Sequence, residues 1–125
     1  MNHVVKAYLE HVALRVRDIH WHMRFFREVL GMDLRDAEGP KEQPRQVWLL
    51  GGIQLIATPE FEAPPSNDDG WLAHLGVMVD DVELALAKAQ HWNVKVLPQG
   101  RNWLQLPGGL AVELLQASPG AVAQA

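Results

Sequence analysis

Residues 11–19 read HVALRVRDI, and residues 74–82 read HLGVMVDDV. Set at an offset of 63 residues, His11 stands over His74, Val16 over Val79, Asp18 over Asp81 and Ile19 over Val82. A self-match at about half the chain length marks two copies of one supersecondary unit, so what forms between them is built by pseudo-symmetry. The repeat keeps a histidine and not only a hydrophobic pattern. That histidine is the first lead to function.

The first copy opens with Tyr8 to Arg17, where Val12, Leu14 and Val16 alternate with His11, Ala13 and Arg15. This period of two predicts a strand with one face on a core. Asp18 is placed to cap a helix through its carboxylate. Ile19, Met23, Phe26 and Leu30 then fall on one helical face, and Gly31 is suited to end the helix in a left-handed conformation. Met32 to Arg35 is predicted as a short strand and Asp36 to Pro44, with two prolines and a glycine, as a loop. Gly51-Gly52 between Gln46–Leu50 and Ile53–Ala57 predicts a hairpin.

The second copy repeats the plan. A strand is predicted over Ala73 to Val79, a cap at Asp81 or Asp80, and a helix carrying Val82, Ala85, Leu86 and Ala89. Asn93 takes the terminating role of Gly31, and short strands follow over Val94–Leu97 and Asn102–Leu106. Pro107-Gly108-Gly109 is a turn and Ala111–Gln116 a last strand; the tail SPGAVAQA is expected to fray. The expected organisation is one domain over residues 1–125, with modules 8–58 and 73–116 joined by the Pro-, Asp- and Gly-rich linker 59–70. The predicted class is α+β: paired βαβββ modules. A helix and a small sheet cannot bury both faces of that sheet, so the modules are expected to share one curved mixed sheet with the helices outside.

Composition narrows the function classes. The chain has 125 residues, 48% hydrophobic and 21% charged, enough for one buried core. A formal charge of −4 and a pI near 5.8 argue against nucleic acid or an anionic membrane as partner, since both select basic faces. No apolar run approaches the roughly 20 residues that cross a bilayer, and the first residues do not read as a signal segment. Without cysteine there is no disulfide, no thiolate nucleophile and no sulfur-ligated metal. A cytoplasmic location is expected, and any metal must be held by His, Asp, Glu or amide oxygen.

Strand parity gives the histidines a direction. Val12, Leu14 and Val16 should pack beneath the helix, which leaves His11 on the opposite face with Ala13 and Arg15. Leu75, Val77 and Val79 do the same in the second copy, leaving His74 opposite with Gly76 and Met78. The hairpins align as well and set Gln54 over Glu113, each a polar residue in an apolar strand where an unpaired amide or carboxylate is expensive to bury. A lone strand histidine is more often a hydrogen-bonded core residue. Recurrence with matching oxygen donors favours a metal instead, with His11, Gln54, His74 and Glu113 as candidate ligands. Nitrogen and oxygen donors without sulfur suit Ni, Co, Mn, Fe(II) or Zn. Gln54, a neutral donor, is the weakest of the four and has a second reading as a hydrogen-bond partner of the ligands. His3, His20, His22 and His91 are read as terminal or on solvated helix faces, and Asp68-Asp69 as linker. Trp48 and Trp103, again at repeated positions, share the histidine face with Arg15 and Met78. They are candidates for binding a substrate with an apolar part, or for filling the sheet interface.

At these residues the chain resembles the vicinal oxygen chelate superfamily: glyoxalase I, methylmalonyl-CoA epimerase, fosfomycin- and bleomycin-resistance proteins and extradiol dioxygenases. The segments LEHVALRVRDIHWHMRFFREVLGM, LAHLGVMVDDVELALAKA and LAVELLQ carry the likeness, which spans about Tyr8 to Gln116. The resemblance implies paired modules around a concave metal cup, with His11, His74 and Glu113 at ligand positions and Gln54 where relatives have Glu or Gln. It implies a metal-dependent lyase or isomerase acting on a small oxygen-chelating substrate through a metal-stabilised enolate; Glu113, the one carboxylate identified in the site, is then the candidate for moving the proton when it loosens from the metal. The alternatives it carries are a metal-independent antibiotic-binding resistance protein and an Fe(II)-dependent dioxygenase. It also implies a homodimer, and leaves open whether one chain or two complete the site. The chain departs from these subfamilies in its short inter-ligand segments, in lacking a separate glutamate base and in being shorter than two-domain extradiol enzymes.

Overall fold

A computed structural model describes residues 10–62 and 72–121. The expected elements at Tyr8 and Leu9, His3, most of the linker with Asp68-Asp69, and the last four residues lie outside the described residues. The order is β1 (Val12–Val16), α1 (Ile19–Leu30), β2 (Leu34–Glu38), β3 (Gln46–Leu49), β4 (Ile53–Ala57), β5 (Leu75–Val79), α2 (Val82–Ala89), β6 (Lys95–Val96), β7 (Trp103–Gln105) and β8 (Ala111–Gln116). This is βαβββ twice.

Each module closes in the same way. β1 pairs in parallel with β4, and β3 lies antiparallel between β4 and β2; β5, β8, β7 and β6 repeat the order. The sheet is therefore two four-stranded halves and not one continuous sheet. β1 and β5, the histidine-led strands, are each at an edge of their half. β2 runs to Glu38, three residues beyond the predicted Arg35, because Asp36, Ala37 and Glu38 find partners on β3.

The helix ends follow from their caps. The Asp18 carboxylate accepts from the Trp21 N–H at 3.0 Å, and Asp81 does the same for Leu84 at 3.0 Å. Gly31 ends α1 at φ 70°, where its N–H bonds Arg27 O and the next N–H, of Met32, bonds Phe26 O. α2 ends differently from expectation. Gln90 keeps a right-handed backbone, and the His91 and Trp92 N–H groups bond carbonyls three residues back, so the last turn tightens before Asn93 is reached.

One buried cluster runs through both modules, from Leu14, Phe25, Phe26 and Leu55 to Leu86, Leu104, Val112 and Leu114. The helices form the junction: Trp21 and Phe25 of α1 both meet the Trp92 ring, at 5.6 Å between centroids. This double contact explains why the buried face of α1 is Ile19, His22, Phe25, Phe26 and Val29, while Met23 and Leu30 are only partly covered. Among the described residues no helix is long and apolar enough to cross a membrane.

His22 is the main correction among the histidines. It is 4% exposed and not on a solvated face. Its Nδ1–H donates to the Asp18 carbonyl at 2.7 Å, and its ring also meets the Pro107 carbonyl of the other module. Burial holds its pKa below the usual 6.5 despite both carbonyls. The unfolded chain therefore takes up a proton below pH 6.5 that the folded chain refuses. The contribution of His22 to stability is fully present above that pH and is lost as pH falls through the folded value. Denaturant midpoints measured from about pH 7 to 5 should fall in the parent chain and stay flatter in His22→Gln. Equal slopes would remove His22 as the cause.

Candidate functional site

Strand parity holds on both edges. Leu14 and Val16 are buried while Ala13 and Arg15 are exposed; Val79 is buried while Gly76 and Met78 are exposed. His11 and His74 each sit one residue ahead of their strand, not within it, and both are exposed. Across β1–β4–β3 the register runs Ala13, Gln54, Trp48, and across β5–β8–β7 it runs Gly76, Glu113, Trp103. Directly paired residues share a sheet face. Each histidine is thus two residues before a row holding one oxygen donor and one tryptophan.

The second module brings its pair together. His74 Nε2 lies 3.5 Å from Glu113 Oε1. That is long for a hydrogen bond and close to the roughly 3.4 Å between two donors on one tetrahedral ion with bonds of about 2.1 Å. The Trp103 ring lies 4.5 Å from the imidazole at a 60° tilt and restricts its rotation. Met78, 52% exposed, continues the same face with Leu115, its partner in register.

The first module orients its pair by hydrogen bonds. His11 Nδ1 lies 2.7 Å from Glu10 Oε1, and Arg35 donates to the other oxygen of Glu10 at 3.0 Å. Arg35 first, and His11 second, hold the Glu10 carboxyl below the usual carboxylate range. A carboxylate on Nδ1 fixes the tautomer that leaves Nε2 with a free lone pair. Gln54 is 8% exposed, and its Nε2 donates to Gln46 Oε1 at 2.6 Å. Trp48 is half-buried beside it, and Arg15 makes no ion pair with any described residue.

His11 does not join His74 and Glu113 in one cluster within the chain. Among the described residues no group of three or more His, Asp or Glu side chains is gathered closely enough to hold a metal ion, although His11, His74 and Glu113 are all described. Glu10, Arg35, Gln46 and Glu38 were missed in the sequence. Glu10 and His11 are consecutive, and neighbours within a strand point to opposite faces. Their contact exists because the strand starts only at Val12. The donors themselves fit a divalent ion: two imidazoles, a carboxylate and an amide oxygen, without a competing ammonium among them.

Residues 8–103 match the model of the Glyoxalase/Bleomycin resistance protein/Dioxygenase superfamily. The chain is 28% identical over 124 residues to the uncharacterized protein YwbC of Bacillus subtilis (strain 168), covering 86% of this chain and 96% of that one. Its fold is similar to the trypanothione-dependent glyoxalase I of Leishmania major, with TM-score 0.66 and 19% identity over 89% of this chain and 87% of that chain. It is also similar to the fosfomycin resistance protein FosX of Listeria monocytogenes, solved with Mn(II) and sulfate. There the TM-score is 0.68 with 15% identity, over 92% and 96% of the two chains.

Proposed function

Because the chain belongs to the Glyoxalase/Bleomycin resistance protein/Dioxygenase superfamily, we propose that it is a divalent-metal-dependent lyase or isomerase acting on a small substrate with adjacent oxygens. The carrying observation is the His74–Glu113 pair at 3.5 Å, repeated in plan by His11 and Gln54 at equivalent register positions. The ion is held by His11, Gln54, His74 and Glu113. When bound, it supplies Lewis acidity to an oxyanion developing on the substrate.

The separation of His11 from His74 and Glu113 supports a site shared between two copies of the chain. His11 and Gln54 of one protomer face His74 and Glu113 of the other, so a twofold dimer carries two such sites. Trp48, Trp103 and Met78 give the apolar wall, and Arg15, without an ion-pair partner among the described residues, receives an anionic substrate group. Glu113 takes the proton from the substrate carbon through a carboxylate oxygen and returns it, and Trp103 limits the competing motion of His74.

Chelator-free protein reconstituted with Ni(II), Co(II), Mn(II), Fe(II) or Zn(II) is expected to hold one ion per site. It should exchange the C–H proton of vicinal-oxygen compounds with deuterated solvent. Glu113→Gln should lower that exchange by about 100-fold or more, and EDTA should abolish it. No bound ion after reconstitution would sink the reading. Tight binding of an antibiotic unchanged in EDTA, without exchange, would point to a binding protein, and oxygen uptake with catechols on Fe(II) to a dioxygenase.

A further inference from the structure

We propose that Glu38 and Gln46 are positioning residues that aim the carbonyl oxygen of Gln54 into the metal site; this rests on the metal reading above. A glutamine side chain ends in an oxygen and an amide nitrogen of nearly equal size, and only the oxygen can ligate a cation. Something must therefore choose which end faces the site. A relay across three strands makes the choice. Gln54 Nε2 donates to Gln46 Oε1 at 2.6 Å, and Gln46 Nε2 donates to Glu38 Oε2 at 2.8 Å.

The direction of the relay follows from its last member. A carboxylate only accepts, so Gln46 must turn its NH2 toward Glu38 and its oxygen toward Gln54. Gln54 must then turn its own NH2 toward Gln46, which leaves Oε1 pointing away from the relay. No hydrogen bond from a described residue reaches that oxygen, and no buried side-chain polar atom among the described residues lacks a partner. Gln54 Oε1 is therefore open to solvent although the residue is 8% exposed. Arg45 donates to the other oxygen of Glu38 at 3.4 Å. Glu113, in the equivalent row, needs no such device because both its oxygens accept.

Reversing the last member reverses the whole relay. In Glu38→Lys the ammonium donates to Gln46, whose NH2 then faces Gln54 and turns the Gln54 nitrogen into the site. Glu38→Gln leaves the direction unset. The pair Glu38→Gln with Gln46→Glu moves the carboxylate one step inward and restores it, because Gln46→Glu accepts from Gln54 directly.

Two readouts test the idea on the full chain. The first is Co(II) affinity from its visible absorption, expected to fall about 10–100-fold in Glu38→Lys and to recover to within about threefold in the paired variant. The second needs no metal: the Gln54 side-chain NH2 signals in NMR should exchange slowly in the parent and the paired variant and rapidly in Glu38→Lys. A parent that binds no Co(II) overturns the metal reading, and the amide exchange then decides the relay alone. A parent that binds Co(II) with Glu38→Lys equal to it, or equal amide exchange in both, overturns the relay.

Discussion

Mixing His11→Ala chains with His74→Ala chains is expected to restore metal binding that neither variant shows alone. Each single variant should lose more than about 100-fold in affinity, since an inner ligand costs more than the 10–100-fold typical of its supporting residues. In a twofold dimer with shared sites, His11→Ala homodimers lack one donor in both sites, and so do His74→Ala homodimers. A mixed dimer carries both lesions in one site and none in the other. Random assembly after co-refolding should therefore recover about one quarter of the parent sites. Sites formed within one chain would recover none. Counting bound Co(II) per chain, with sedimentation to establish the dimer, decides between them.

Phe25→Ala is expected to cause the largest loss of stability. Phe25 is 1% exposed, stacks on Trp21 at 5.2 Å and meets Phe26 and the Trp92 ring edge-on. Its removal leaves a cavity between the modules that rigid neighbours fill poorly. The cost should be about 3–5 kcal/mol, a fall of roughly 10–20 °C in Tm. Because Trp92 borders that cavity, its fluorescence should change together with the unfolding midpoint. A loss below about 1 kcal/mol would mean that the modules repack around the gap.

The repeat and the strand faces were legible because both are local. Period two assigns Leu14, Val16 and Val79 to the core and leaves Arg15 and Met78 exposed without knowledge of any partner strand. The alignment of Gln54 with Glu113 was legible for the same reason, as the register later pairs them with Trp48 and Trp103. What failed depends on distant contacts. His22 carries a polar side chain at helical spacing, and its place on the buried face of α1, within reach of the second module's Pro107 carbonyl, depends on contacts between the modules. Glu38 lies in a stretch of charges, prolines and glycine that reads as a loop, so its place on β2 beside Gln46 was hidden, and the relay with it. The division of the sheet depends on whether β1 and β5 pair, which no local pattern encodes.

The one-charge difference between the equivalent rows has a consequence for assembly. On the proposed pairing, every first-module face meets a second-module face, and each resulting site contains one carboxylate, from Glu113, and one neutral amide, from Gln54. Like facing like would give one site with no anion and another with two carboxylates repelling each other until an ion arrives. The duplicated halves are thus keyed by a single substituted atom type, much as a plug differs from its socket. With a divalent cation each correctly matched site keeps one uncompensated positive charge. On that proposal, the residual charge would select for a substrate whose chelating oxygens bring a negative charge of their own.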